Sequence, residues 1–321
     1  VTEKNKARLI FLLKAVVGIG LLAFFVSRLD LTQFARTFSS ARLSYVVLAL
    51  CAYFVGKVLT AVRWALLARP LGFSTALKDF VAYGYIGMFF SLFGLGTLAG
   101  DAGRVFYLSR EKSGGADRGR GEAAALALVS ILADRAVGMA ALVWIGAGAL
   151  IVFPEYDSLV PAVVRYAVFI MSLCPIVAWL AFPFGGRLLR RIDHPLAEKL
   201  HALGSAYWNH PAALAQAIVL SLAFHVIQIW GQILIGNALD FNLPPAYAFV
   251  VFPLVDIVAM LPVSVSGIGF REGAFVFFLR ELGVSAEKAV ACGVIWLAIM
   301  IVSGLLGGLV FILRGKTGRP L

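Results

Sequence analysis

The stretch PVSVSGIGFREGAFVFFL, residues 262–279, decides how this chain is read. It follows an almost wholly apolar run, breaks at proline and glycine, sets Arg271 beside Glu272, and closes on Phe277, Phe278 and Leu279. A charge at the centre of a membrane span costs about 2.5–3.5 kcal/mol on insertion scales, so the pair approaches roughly 5–7 kcal/mol if it faces lipid. The two do not simply cancel, because neighbouring side chains on a helix point about 100° apart and each needs its own partner. Pro262 and Gly267 end the preceding helix, Gly269 takes the N-cap, and the next helix starts at Phe270. Glu272 then stands third, where a carboxylate accepts the orphan N–H groups of its own first turn and suits the helix dipole. Arg271 has no such local use. A cation at a helix N-terminus opposes the dipole and becomes sensible where a phosphate shares the site, or where Asp134, Asp101 or Asp256 pairs with it.

The rest of the chain explains why lipid is the reference solvent. Of 321 residues, 61% are hydrophobic and 14% charged, and the mean hydropathy is +0.92, outside the range of ordinary soluble domains. Five stretches are long and apolar enough to cross a bilayer as helices: 9–27, 43–67, 161–184, 212–238 and 288–313. A sixth, 122–153, is interrupted by Asp134 and Arg135 and is longer than the hydrocarbon layer, so it must tilt, bend or project. Two weaker stretches, 80–100 and 246–279, are broken by glycine or proline. The first segment has basic residues ahead of an apolar core but no small-residue cleavage pattern at its exit, so it reads as an uncleaved span. Cys51, Cys174 and Cys292 each fall in a different apolar stretch and read as small core residues.

Basic residues sort the loops. Residues 104–120, 185–211 and the tail from Arg314 are rich in Lys and Arg and read as cytoplasmic, whereas 154–160 and 239–245 carry acids without bases and read as external. Six full crossings then close with both termini inside. The 28–42 loop, with Arg28, Arg36 and Arg42, counts against its external placement. Each weak stretch begins and ends on one side, so each must enter and return on that side or cross twice as paired short helices. FSLFGLGTLAGDAGR (90–104) and LPVSVSGIGFREG (261–273) share a plan of apolar approach, small-residue turn, acid and arginine. Entered from opposite faces, they would be the two halves of an inverted repeat, the layout of transporters whose site lies near the midplane. The fold class is therefore all-α, a polytopic helical membrane protein with about six crossings and two re-entrant elements, in one integral membrane domain over residues 1–321.

Each charged candidate has a structural reading beside the functional one. Asp101 and Arg104 are three apart and can pair locally at the membrane edge, or face a substrate. Asp134 and Arg135 are either buried counterions or cavity lining. Asp256, isolated in an apolar run, is a hydrogen-bonded neutral acid or a protonatable coupling site. His225, Gln228 and Gln232 form one stripe for interhelical hydrogen bonds or for substrate. Arg63-Trp64, at the end of a span, reads as a snorkelling base beside an interfacial aromatic. The four histidines have no metal-ligand spacing, no nucleotide-binding loop is present, and the net charge of +11 suits basic loops on an anionic leaflet rather than nucleic acid.

RWALLARPLG (63–72), GLGTLAGDAGRVFYLSR (94–110), ALVSILADRAVGM (127–139) and LPVSVSGIGFREGAF (261–275), in this order among helices, resemble the flippase-like integral membrane domain of lysylphosphatidylglycerol synthetases and its stand-alone relatives. Where that family often has a proline before the first Gly-Asp element, this chain reads Phe93-Gly94-Leu95-Gly96. The resemblance implies re-entrant elements around a cavity, a bacterial inner-membrane location, and movement of a lipid between leaflets. It puts Asp101, Arg104, Asp134, Arg135, Arg271 and Glu272 at motif positions. Since the chain stops at Leu321, just past its last span, the aminoacyl-transferase domain of the full-length synthetases is expected to be absent and aminoacylation with it. The expected activity is transport of an anionic phospholipid or lipid-linked sugar through a polar cavity, with no cofactor; an integral membrane enzyme acting on a lipid phosphate and an accessory scaffold are the alternatives. A homodimer is compatible with this reading.

Overall fold

The computed structural model describes residue 16 and residues 31–93, 96–110, 119–189, 204–259 and 269–316. All regular elements among the described residues are helical. A short helix α1 (Leu31–Ser39) leads into α2 (Leu43–Ala68). The first hairpin follows as α3 (Leu77–Phe93) and α4 (Thr97–Arg110). Two long helices come next, α5 (Arg120–Val152) and α6 (Ala162–Leu189), and then α7 (Pro211–Ala238). The second hairpin is α8 (Pro245–Ala259) and α9 (Phe270–Leu279), and α10 (Ala286–Lys316) closes the chain. Of the predicted span 9–27 only residue 16 is described, and the turn residues Pro262 and Gly267 lie outside the described residues.

Among the described residues five helices are long and apolar enough to cross a membrane: α2, α5, α6, α7 and α10. They fall on the predicted stretches. α5 runs unbroken through Asp134 and Arg135, and its 33 residues measure about 50 Å, so the two charges interrupt the hydropathy and not the helix. α6 lies at the edge of the bundle with Val163, Ile170, Leu173, Val177 and Leu180 exposed, the surface that suits lipid and not water. Cys51 and Cys174 are exposed on such faces and only Cys292 is buried. This corrects the expectation of three core cysteines: a thiol is as compatible with acyl chains as with a protein interior.

Loop contacts define two ends of the bundle. At one, Arg42 bonds Asp240 and its backbone N–H donates to the Ala238 carbonyl. Lys288 donates to the Asp240 carbonyl there, and Tyr156 packs on Tyr247. At the other, Arg314 pairs with Asp79, and Tyr207 donates to the Leu67 carbonyl. The 40–42, 154–160 and 239–245 loops therefore share one end, as the charge sorting requires, in spite of the arginines of 28–42. Each broken stretch returns to the end it left. Tyr83 near the start of α3 stacks on Tyr107 near the end of α4, and Tyr247 near the start of α8 donates to the Phe278 carbonyl near the end of α9. The first hairpin opens to the Asp79 end and the second to the Asp240 end.

Helix packing repeats across this inversion. α2 packs on α7; α3 packs on α10 as α8 packs on α5; α4 packs on α5 as α9 packs on α10; α1 packs on α10 as α6 packs on α5. Exchanging α1 with α6, α2 with α7, the first hairpin with the second, and α5 with α10 leaves the α2–α7 pair in place and turns each of the others into one that also packs. A two-fold relation in the plane of the membrane has this property.

Candidate functional site

The tip of the second hairpin is built by local chemistry. Gly269 has φ 83°, a backbone state that costs a side chain but not glycine. From there α9 starts at Phe270, as predicted, and the Gly269 N–H donates to Glu272 Oε2 at 2.6 Å. Glu272 is 1% exposed, and Gly293 of α10 makes room for it: a Cβ there would sit 2.8 Å from Glu272 Cγ and 3.0 Å from Oε1. Glu272 therefore caps the helix that it opens, as its position in the sequence predicts.

Arg271, beside it, is 9% exposed. Its Nη1 donates to Met300 Sδ at 3.6 Å, a weak acceptor, and its Nε is buried without a partner. No ion pair among the described residues includes Arg271. The expected carboxylates are engaged elsewhere or stand off: Asp134 bonds Arg63, Asp101 bonds Arg135, and Asp256 is within electrostatic reach of Arg271 without a direct bond.

Two sequence expectations are corrected by these pairings. Arg63 does not snorkel to an interface. It is 6% exposed, with Nε donating to Asp134 Oδ1 at 2.6 Å and Nη1 to Ser221 Oγ at 2.8 Å, so a buried ion pair joins α2 to α5 and a hydrogen bond from the same guanidinium joins α2 to α7. Trp64 likewise donates inward to Ser130 Oγ at 3.0 Å. Asp134 is thereby a buried counterion rather than cavity lining. Asp101 does not pair with Arg104: it accepts from Arg135 Nε at 2.8 Å and Nη2 at 2.7 Å, tying α4 to α5, because that two-donor contact outcompetes a single-turn pair.

Arg104 is left on the inner side of α4. Its Nε is buried without a partner, its guanidinium lies 5.6 Å from the Trp64 ring centre, and Gly87 on α3 is in contact with it. Beside α4, Phe90, Ala99, Ala102, Gly103, Phe106, Tyr107 and Phe311 line an apolar recess of about 260 Å³. Lys57 is the functional candidate that sequence reading missed. It lies fourteen residues into α2, its Nζ 4.6 Å from the Tyr53 ring centre and 5.5 Å from that of Phe224, and no ion pair among the described residues includes it. The signal was present as a single lysine at the middle of the 43–67 span. The α7 stripe divides: His225 Nε2 is 3.0 Å from the Gly138 carbonyl and Gln232 contacts the Cys292 thiol, whereas Gln228 Oε1 is buried without a partner.

The fold and these charges define a multi-pass membrane protein with two re-entrant hairpins and cations held inside the bundle. The family model of the lysylphosphatidylglycerol synthase TM region matches residues 11–308, and the chain belongs to that family. No curated protein and no solved structure matches it. Membership makes this a membrane protein of a lipid-related family.

Proposed function

We propose that this protein carries an anionic phospholipid or lipid-linked sugar between leaflets, with the headgroup inside the bundle and the acyl chains in the bilayer. The observation that carries this reading is Arg271: a guanidinium at the tip of a re-entrant hairpin, buried, with an unpartnered Nε and, among the described residues, no carboxylate bound to it. An unmatched cation at this depth is costly unless a negative group joins it. The unpartnered donor of the guanidinium favours a phosphate oxygen. The inverted packing supports alternating exposure of such a site to the two sides, and the apolar recess along α4 suits an acyl chain. Asp256, close to Arg271 and Lys57, is the acid available for coupling. In this reading the protein transports and does no covalent chemistry, its termini lie on the cytoplasmic side of a bacterial inner membrane, and Arg135, Asp101, Asp134 and Glu272 hold the site's frame.

The test is transport in phosphatidylcholine vesicles carrying fluorescent phosphatidylglycerol. Arg271→Ala is expected to abolish translocation while the melting temperature in detergent stays close to that of the unaltered chain. Transport at the unaltered rate would remove Arg271 from the mechanism. Recovery of the lipid with a changed mass would replace transport by an enzymatic reading.

A further inference from the structure

Three cations inside the bundle share a property that Arg63 and Arg135 lack. Arg63 and Arg135 are neutralised by Asp134 and Asp101; Lys57, Arg104 and Arg271 belong to no ion pair among the described residues. Their arrangement follows the face of α2. Arg271 is within electrostatic reach of Tyr53, Lys57 stands one turn on, and Arg104 reaches both Lys57 and the Trp64 ring. From Tyr53 to Trp64 is about 16 Å of helix. One end of this row comes from the hairpin open to the Asp240 side and the other from the hairpin open to the Asp79 side. Lys57, roughly 21 Å from one end of α2 and 17 Å from the other, is at mid-depth.

We infer that Lys57 is a central binding site for a phosphate-bearing headgroup, passing it between Arg104 at one hairpin and Arg271 at the other. The inference rests on the transport reading and adds the residue at its midpoint. The rings of Tyr53 and Phe224 hold the ammonium by their π faces, which steadies the charge without cancelling it. A carboxylate in their place would close the site to anions. Asp134 and Asp256 are within electrostatic reach of Lys57, and Asp256 of Arg271, yet neither bonds to Lys57 or Arg271. Gln228 Oε1, the unpartnered acceptor, lies against Gly56, the residue before Lys57. An acceptor there calls for a donor on the ligand, and a hydroxyl of a glycerol or sugar headgroup is one. The ligand class is thus a phosphate carrying hydroxyls, and three separate cations let it move in short steps without one deep well.

The full chain in detergent is titrated with short-chain phosphatidylglycerol and short-chain phosphatidylcholine, followed by vesicle transport. Wild type is expected to prefer the glycerol lipid. Lys57→Met should weaken its binding about tenfold, the loss of one charge-assisted contact, and Lys57→Arg should keep most of it. Equal binding of both lipids by wild type, or no binding, overturns the inference, and that comparison needs no variant to fold. So does a Lys57→Met protein that binds and transports like wild type, an outcome that leaves the transport reading intact. Lys57-dependent binding without translocation in wild type keeps the site and removes transport. Displacement by glycerol phosphate at equal concentration supports the site and assigns a soluble phosphate; displacement by lipid alone assigns a lipid headgroup.

Discussion

At the scale of single residues, what separates structural charges from candidate functional ones is the partner. The Arg63 and Asp134 side chains are each 7% exposed and bonded to one another, so removing one half leaves the other ionised and unmatched. Asp134→Asn is expected to destabilise the protein by about 3–5 kcal/mol, while the apolar pair Arg63→Met with Asp134→Leu restores most of the loss, because a buried ion pair seldom outdoes well-packed hydrocarbon. Thermal unfolding in detergent measures both. Arg271 should behave in the opposite way: its replacement leaves no carboxylate without a partner, so stability changes little and any loss appears in transport. A large fall in melting temperature for Arg271→Ala would mark it as structural.

Among elements, the second hairpin depends on α10 leaving room for the Glu272 cap. Gly293→Ala would bring a Cβ to 2.8 Å from Glu272 Cγ, and Glu272 cannot withdraw without releasing the Gly269 N–H. The expected cost is about 1–3 kcal/mol. In Glu272→Ala, which itself loses about 1 kcal/mol of capping, the added methyl should cost less, and a double-mutant cycle reads that coupling. An unchanged cost would detach Gly293 from the cap. The same contrast explains what the sequence reveals. The start of α9 at Phe270 and the role of Glu272 were legible because a cap is made by residues three apart. The five long helices were legible because lipid demands continuous apolar length. The partners were not. Arg63 and Asp134 are 71 residues apart, so Arg63-Trp64 near the end of an apolar run looks the same whether it snorkels or turns inward. Asp101 and Arg104 have ideal local spacing, yet α5 brings Arg135 within two-donor reach. Lys57 was passed over because one lysine barely lowers the hydropathy of a long span, although its central position is what makes it costly.

For the molecule as a whole, the inversion is the property on which transport depends, and sidedness tests it. If the two hairpins are related by a two-fold axis in the membrane plane, their open ends must meet opposite aqueous compartments; two hairpins from one face would give a basin and not a path. Ser158, Asp240 and Gly283 are exposed near one end, and Ser74 and Gly119 near the other. With Cys51, Cys174 and Cys292 replaced, single cysteines at these positions are probed in oriented vesicles with a maleimide that does not cross lipid. Positions 158, 240 and 283 should label together from one side, and 74 and 119 only from the other. The positive-inside bias assigns the second group to the cytoplasm. Labelling of 74 and 283 from the same side would mean that both hairpins open one way, and the row Arg104, Lys57, Arg271 would then lead inward without an exit. Labelling from opposite sides leaves Lys57 between two mouths, the position a carrier needs for a site that each side reaches in turn.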